Sequence, residues 1–233
     1  MIRNKNLILI AGLIVIGFFI YAFNLQNPLF WDDDEWIKGN IFVHSFSYLT
    51  ELFTQNVEAG FGLSSNYYRP LLLLSFAFNY VIHGIQPLGY HLLSNSIHIA
   101  NGVLVFLLLS RFINLRASFI AALLFLIHPV QTEAVAYISG RGDPMSVFFM
   151  LLGFWFYIKS LNIQILKSRY IYRSLSLISA VFAILSRETA ILFPLFLMIF
   201  YISFISKTGF LKSLKESFVK AFTFWGISAV YFI

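Results

Sequence analysis

The chain has 233 residues, of which 59% are hydrophobic and 11% charged, and its mean hydropathy is +0.81. Because soluble domains carry about 25% charged residues, this composition indicates an integral membrane protein. The absence of cysteine excludes disulfide frameworks, thiolate metal sites and cysteine nucleophiles. The net charge of +6 does not point to nucleic acid as a partner, because no basic groove interleaved with aromatic residues is recognisable.

Long apolar runs predict an all-α polytopic membrane protein with six to seven transmembrane helices in a single membrane domain, residues 1–233. The first run, residues 7–23, exceeds the length of a signal-peptide core, which favours an uncleaved helix. The last run stops at Ile233 without a charge, so we expect the N-terminal part of a longer protein; the alternative is a natural short terminus. The later runs cover residues 92–110, 117–132, 144–158, 174–186, 189–206 and 221–233.

A shorter apolar stretch, residues 71–82, decides the topology. If it does not cross the membrane, the side that holds the N-terminus carries 12 of the 16 basic residues but only one acid, Glu216. Cytoplasmic loops are enriched in Lys and Arg, so this arrangement predicts a cytoplasmic N-terminus. Residues 24–90 then form a first extracytoplasmic loop with interfacial or re-entrant helices, and residues 128–143 form a second.

Four adjacent carboxylates follow the first helix: Asp32, Asp33, Asp34 and Glu35. Neighbouring negative charges repel one another unless a positive group lies among them, which indicates a site. Trp31 and Trp36 flank the run and are typical of the membrane interface. The alternative interpretation is a solvated acidic collar at the end of a helix.

Further polar residues fall on the same predicted side. Arg69 precedes Pro70 and can pair with phosphate or carboxylate, or serve as an interfacial anchor. His91 and His98 lie on one face of the second long span; helix packing through hydrogen bonds is favoured for His98, whereas His91 can approach a site near the outer end.

The second outer loop is the richest segment. Pro129 ends one helix there, and Asp143 followed by Pro144 is a plausible helix start. Glu133 and Arg141 have no comparable structural reason and are functional candidates, because ionisable residues at membrane depth usually have a role. Arg187 and Glu188 interrupt two apolar runs on this side, as a turn or as part of the site.

Four segments resemble the GT-C class of membrane glycosyltransferases and, within it, the transmembrane and tetratricopeptide-repeat-containing O-mannosyltransferase family with its bacterial relatives. They follow the family's order, and the last is the most specific. The segments are residues 30–34 (FWDDD), 68–71 (YRPL), 87–93 (PLGYHLL) and 128–143 (HPVQTEAVAYISGRGD).

The resemblance implies transfer of a mannose-like sugar from a polyprenyl-phosphate carrier to a protein or glycan acceptor at the outer or lumenal membrane face, by the N-terminal part of a longer GT-C module. It maps the family's acidic pair to Asp32 and Asp33, while Asp34 stays a candidate base. Asp143 maps to the acid of the second loop. A divalent metal, Mg or Mn, on Asp33 and Asp143 is kept open. A bacterial inner membrane is favoured over the endoplasmic reticulum.

Together, the candidate substrate-binding residues are Arg69, His91, Glu133, Arg141, Asp143, Arg187 and Glu188. Two other functions are weighed against glycosyl transfer. A transporter would place carboxylates in the middle of a span, and the sequence has none there. A catalytically inactive scaffold or assembly fragment would need no converging acids and arginines.

Overall fold

A computed structural model describes the backbone of residues 2–231 and the side chains of residues 4–231, and these residues form helices and turns with no strand. The last predicted run therefore extends beyond the described residues at 232 and 233. The α-helices in this part of the chain are α1 (Ile2–Tyr21), α2 (Leu49–Thr54), α3 (Pro70–His83), α4 (Pro87–Leu109), α5 (Leu115–Ile127), α6 (Gln131–Ala136), α7 (Gly142–Asn162), α8 (Leu166–Ser186), α9 (Phe193–Phe200) and α10 (Phe210–Val230).

Several of these helices are long and apolar enough to cross a membrane, which confirms the all-α membrane class. Within the described residues, four segments qualify by length and composition: Asn4–Asn24, Pro87–Leu109, Ser139–Asn162 and Glu188–Ile205. The other predicted spans correspond to α5, which has 13 residues, and to α8 and α10, which have 21 residues each and carry several Lys and Arg side chains.

Proline residues set the ends of the helices around the second loop. The helix within the apolar run at residues 117–132 ends before Pro129, as the sequence predicts: α5 ends at Ile127 and a separate short helix begins at Gln131. Pro129 lies in the gap, where its ring and missing N–H cannot continue an α-helix. Pro144 lies in the first turn of α7, as the sequence predicts.

Residues 24–90 contain two α-helices and several short turns. The 14 residues of α3 span about 21 Å at 1.5 Å per residue, less than the roughly 30 Å of a hydrocarbon core. The interfacial or re-entrant placement of α3 stays a prediction. Gly84 joins α3 to α4 with a φ of 57°, a conformation that most other residues adopt at a cost.

The chain divides into two compact units. The first comprises Met1–Phe148 and Leu185–Arg187, and its apolar core includes Leu13, Ile99 and Leu126. The second comprises Phe149–Ile184 and Glu188–Ile233, with a smaller core around Ala183, Ile184 and Ala190.

Buried polar contacts join α1, α4 and α5 in the first unit. The amides of Asn24 and Asn95 bond reciprocally at 3.0 and 2.9 Å, and Asn95 also donates to the Tyr21 carbonyl at 3.0 Å. His98 Nε2 and Tyr21 Oη each lie 3.1 Å from the Leu126 carbonyl, near the end of α5. The packing role expected for His98 is therefore observed.

We expect Asn95→Ala to lower the free energy of unfolding by about 1–3 kcal/mol, because it leaves the buried Asn24 amide and the Tyr21 carbonyl without their partner. Thermal unfolding of the purified protein in detergent measures the change. The exposed neighbour Ser96 provides the control, since Ser96→Ala removes only a bond within α4. Equal effects of the two substitutions would contradict the role given to the amide pair.

Candidate functional site

A cavity of about 370 Å³ opens in the first unit, and four segments that are distant in sequence line it. Its walls combine carboxylates, arginines and aromatic rings, a mixture that can hold a polar ligand with an apolar part. The lining residues are Asp32, Trp36, Tyr67, Arg69, Val130, Glu133, Ala134, Tyr137, Ser139, Gly140, Asp143 and Arg187.

Asp32 comes from the acidic run and faces this cavity. Its backbone N–H donates to the hydroxyl of Tyr137 at 3.1 Å. The preceding residue, Trp31, has a φ of 54°, which is unfavourable for a large side chain and is tolerated where the surroundings impose it. The rings of Phe30 and Trp31 lie 5.2 and 6.3 Å from the Tyr137 ring, so three aromatic residues support the turn that carries Asp32.

Asp33 points in the opposite direction, into the protein interior, and is fully buried. One carboxylate oxygen accepts hydrogen bonds from the backbone N–H and the hydroxyl of Ser139 at 2.8 and 2.5 Å. The other oxygen accepts from the Phe30 N–H at 3.2 Å. Burial raises the pKa of Asp33, although these hydrogen bonds and the nearby Arg141 charge act to lower it.

Asp34 lies on the protein surface rather than in the cavity. Its carboxylate forms an ion pair with Lys38 at 2.5 Å, one helical turn further along. The two side chains are 58% and 40% exposed, so solvent screens their interaction. Adjacent aspartates in the sequence thus have three different environments.

Arg69 and Arg187 bring positive charge to the cavity wall. The guanidinium of Arg69 lies 4.5 Å from the ring centre of Tyr67 and 5.8 Å from that of Trp36, a cation–π arrangement that fixes its plane. Arg187 forms an ion pair with Asp143 through Nη1. Its Nε is buried and has no hydrogen-bond partner within the described residues.

Arg141 is placed in the protein interior instead of the cavity. Its guanidinium is fully buried and donates hydrogen bonds to Ser94 Oγ at 3.0 Å, to Ser75 Oγ at 3.0 Å and to the Tyr90 carbonyl at 2.9 Å. It also lies 4.9 Å from the ring centre of Phe76. These contacts occupy the donors that a substrate anion would need.

The other predicted site residues also differ in whether they line the cavity. Glu133 and Asp143 line the cavity beside Asp32, whereas His91 is buried in α4 with its Nε2 3.1 Å from the Asn27 carbonyl. Glu188 begins a short 3₁₀ turn in the second unit.

The donor set does not fit the metal site considered on Asp33 and Asp143. Both oxygens of Asp33 accept protein hydrogen bonds, and Asp143 is paired with Arg187. Within residues 4–231, no group of three or more His, Asp or Glu side chains is arranged to hold a metal ion.

Sequence reasoning missed Tyr137 and Ser139 as site residues. Tyr137 lines the cavity, and burial together with the hydrogen bond between its hydroxyl and the Asp32 carboxylate raises the pKa of that hydroxyl, although the bond from the Asp32 backbone N–H acts to lower it. The hydroxyl is therefore protonated at neutral pH and can donate a hydrogen bond. Both residues lie inside the most specific family segment, which is the signal that could have drawn attention to them.

The fold and the site define a helical membrane protein with a mixed acidic and basic cavity. Protein O-mannosyl-transferase TMTC3 of Mus musculus is 38% identical over 142 residues, which cover 58% of this chain and 15% of that protein. Protein O-mannosyl-transferase Tmtc1 of Drosophila melanogaster is 34% identical over 197 residues, or 82% of this chain and 22% of its own length. TMTC4 of Homo sapiens, another protein O-mannosyl-transferase by name, is 35% identical over 65% of this chain.

These similarities confirm the resemblance to the TMTC O-mannosyltransferase family that the sequence motifs indicate. The chain spans between 15% and 23% of the length of these three relatives. No family model matches the chain, and no solved structure matches it.

We expect Arg141→Gln to destabilise the protein by about 3–5 kcal/mol, because it removes a buried cation from its hydrogen-bonded partners and from the neighbourhood of Asp33. Arg187→Gln is the control. Both side chains of the Arg187–Asp143 ion pair are partly exposed, so we expect the pair to contribute about 1 kcal/mol or less to stability. Chemical or thermal unfolding in detergent compares them. Equal losses would contradict a structural role specific to Arg141.

The raised pKa of Asp33 predicts a pH dependence of stability. As the pH rises above the ordinary value of 3.8, the unfolded chain ionises first, so the folded state loses relative stability until the pH passes the raised value. We therefore expect the melting temperature of the wild type to fall, relative to that of Asp33→Asn, as the pH rises from about 4. A wild-type melting temperature that stays constant or rises relative to that of Asp33→Asn, as the pH increases, would contradict the burial penalty assigned to Asp33.

Proposed function

We propose that this chain forms part of a GT-C glycosyltransferase, which transfers a mannose-like sugar from a polyprenyl-phosphate carrier to a hydroxyl group of a protein acceptor. The observation that carries the proposal is the cavity in which Asp32, Glu133 and Asp143 meet Arg69 and Arg187. The names of the relatives support the reaction class. A glycan acceptor would use the same chemistry, because it also presents a hydroxyl.

In the proposed reaction, the acceptor oxygen attacks the anomeric carbon and the bond from that carbon to the phosphate oxygen breaks. The bonding electrons leave with the polyprenyl phosphate. The proton of the acceptor hydroxyl passes to the Asp32 carboxylate, which lines the cavity, whereas the Asp33 carboxylate is buried and accepts three hydrogen bonds from the protein. Such general base catalysis requires hydrogen-bond reach between carboxylate and hydroxyl, which a cavity-facing side chain can provide.

The two arginines of the wall stabilise the phosphate as its negative charge grows. Arg69 is oriented by Tyr67 and Trp36, and Arg187 has a buried Nε without a partner among the described residues. Guanidinium groups bind phosphate through paired N–H donors. Since these cations are already held in place, little reorganisation is needed when the leaving group departs.

Glu133, Asp143 and Tyr137 supply hydrogen bonds for sugar or acceptor hydroxyls. Glu133 is exposed at the cavity, while Asp143 and Tyr137 are partly buried, so these three side chains offer two carboxylate acceptors and a phenolic donor.

We place the cavity on the extracytoplasmic face, in a bacterial inner membrane rather than the endoplasmic reticulum, with the N-terminus in the cytoplasm. The distribution of basic residues supports this orientation. A lipid-linked donor suits a cavity at the membrane boundary, because its phosphate stays at the interface while the isoprenoid tail remains in hydrocarbon.

The assignment of Asp32 is tested by comparing Asp32→Asn with Asp34→Asn in the purified protein, reconstituted with a polyprenyl-phosphate mannose donor. We expect Asp32→Asn to reduce sugar transfer by about 10²-fold to 10⁴-fold, which is the usual contribution of a general base. Radiolabelled sugar transferred to the acceptor measures the loss.

Asp34→Asn is the matched control, because it changes the same residue type two positions away but alters only a surface ion pair. We expect transfer within about twofold of the wild type. Wild-type activity in Asp32→Asn, or an equal loss in both variants, would overturn the role of Asp32.

A further inference from the structure

Three cations at one end of the second unit rest on aromatic rings. Lys159, in the last turn of α7, has its Nζ 5.4 Å from the ring centre of Trp155 and 5.3 Å from that of Tyr172 on α8. Lys159 thus lies between rings from two helices, an arrangement that limits where its ammonium group can move.

The other two cations join α8 to α10. Arg173 lies 5.0 Å from the ring centre of Tyr157 and 4.9 Å from that of Phe224, and it donates a hydrogen bond to the Lys220 carbonyl. Lys220 in turn has its Nζ 5.5 Å from the ring centre of Tyr201. We call Lys159, Arg173 and Lys220 the basic cluster.

Acidic residues do not neutralise the basic cluster. Within the described part of the second unit, the acids are Glu188 and Glu216, and no ion pair joins either of them to the cluster. Glu216 accepts a hydrogen bond from the Tyr201 hydroxyl at 3.1 Å instead. The cluster therefore keeps its positive charge available to an external anion.

We propose that the basic cluster binds the headgroup of an anionic phospholipid. The cluster lies where the apolar α7 ends, and a lipid phosphate is found at that depth beside a transmembrane helix. Lys159 and Arg173 each contact two rings and Lys220 contacts one, and the sides of the cations that the rings leave open can present N–H groups to phosphate oxygens. Trp155, Tyr157 and Tyr172 are residue types enriched at the same depth. This binding site is independent of the sugar-transfer cavity, which lies in the first unit.

Charges that only orient the protein in the membrane need not converge on rings, and this difference supplies the control. Lys212 and Lys215 are exposed on α10, as Lys220 is, but no ring contact is found for either of them among the described residues. A built site requires Lys159 and Lys220 in particular, whereas diffuse attraction to an anionic membrane depends only on the number of basic residues.

The test uses the full chain purified in a mild detergent, with phosphatidylglycerol or phosphatidylcholine added. We expect native mass spectrometry to show retention of phosphatidylglycerol over phosphatidylcholine, and we expect phosphatidylglycerol alone to raise the melting temperature. The double variant Lys159→Gln/Lys220→Gln should lose about tenfold in phosphatidylglycerol affinity, and Lys212→Gln/Lys215→Gln less than about twofold. Inorganic phosphate should not substitute for the lipid.

Two further variants separate binding from folding. Arg173→Lys preserves the charge and should retain the lipid, while Lys220→Gln alone changes an exposed side chain and should weaken retention with an unchanged melting temperature in phosphatidylcholine. Equal losses in the two double variants, or equal retention of the two lipids by the wild type, would overturn the proposal. Stabilisation by inorganic phosphate to the same extent would also overturn it.

Discussion

The buried carboxylate of Asp33 holds together two parts of the chain that are 106 residues apart in sequence. It accepts two hydrogen bonds from Ser139 and one from the Phe30 backbone, so the turn after α1 is fixed to the loop before α7. The residues on either side of these contacts, Asp32 on one segment and Tyr137 on the other, line the same cavity. The bond from the Asp32 N–H to the Tyr137 hydroxyl, at 3.1 Å, is a second direct connection between the same two segments.

Burying such a charge is unfavourable unless other groups compensate for it. Three hydrogen bonds and the nearby guanidinium of Arg141 offset part of this cost, although the pKa of Asp33 remains raised because burial outweighs them. Arg141 is itself held by the hydrogen bonds that it donates to Ser75, Ser94 and Tyr90 on α3 and α4. The charged residues of the two loops therefore divide into an interior pair that maintains the structure and a cavity-facing set with Asp32 and Arg187 that is open to a ligand.

Much of the fold follows from hydropathy and helix punctuation. The apolar runs at 92–110 and 144–158 correspond to α4 and α7, and Pro129 ends the helix before it as its ring chemistry requires. The proximity of Glu133 and Asp143 could also be predicted from the sequence, because both lie in one loop.

The orientation of individual side chains could not be predicted from the sequence. Asp32, Asp33 and Asp34 are identical in type, and only the position of Ser139 and Lys38 around them determines which is buried and which is paired. Arg141 and Arg187 look equivalent in sequence, yet the buried environment of Arg141 depends on Ser75 and Ser94, which lie 66 and 47 residues away. Tertiary contacts at such separations leave no local pattern.

Labelling of single cysteines tests most directly whether the two loops meet at one membrane face. The chain contains no cysteine, so Trp31→Cys and Val130→Cys each introduce a single thiol at positions that are 78% and 71% exposed. A membrane-impermeant maleimide applied to intact cells should modify both thiols from outside. Modification of one from outside and of the other only after permeabilisation would contradict a shared site.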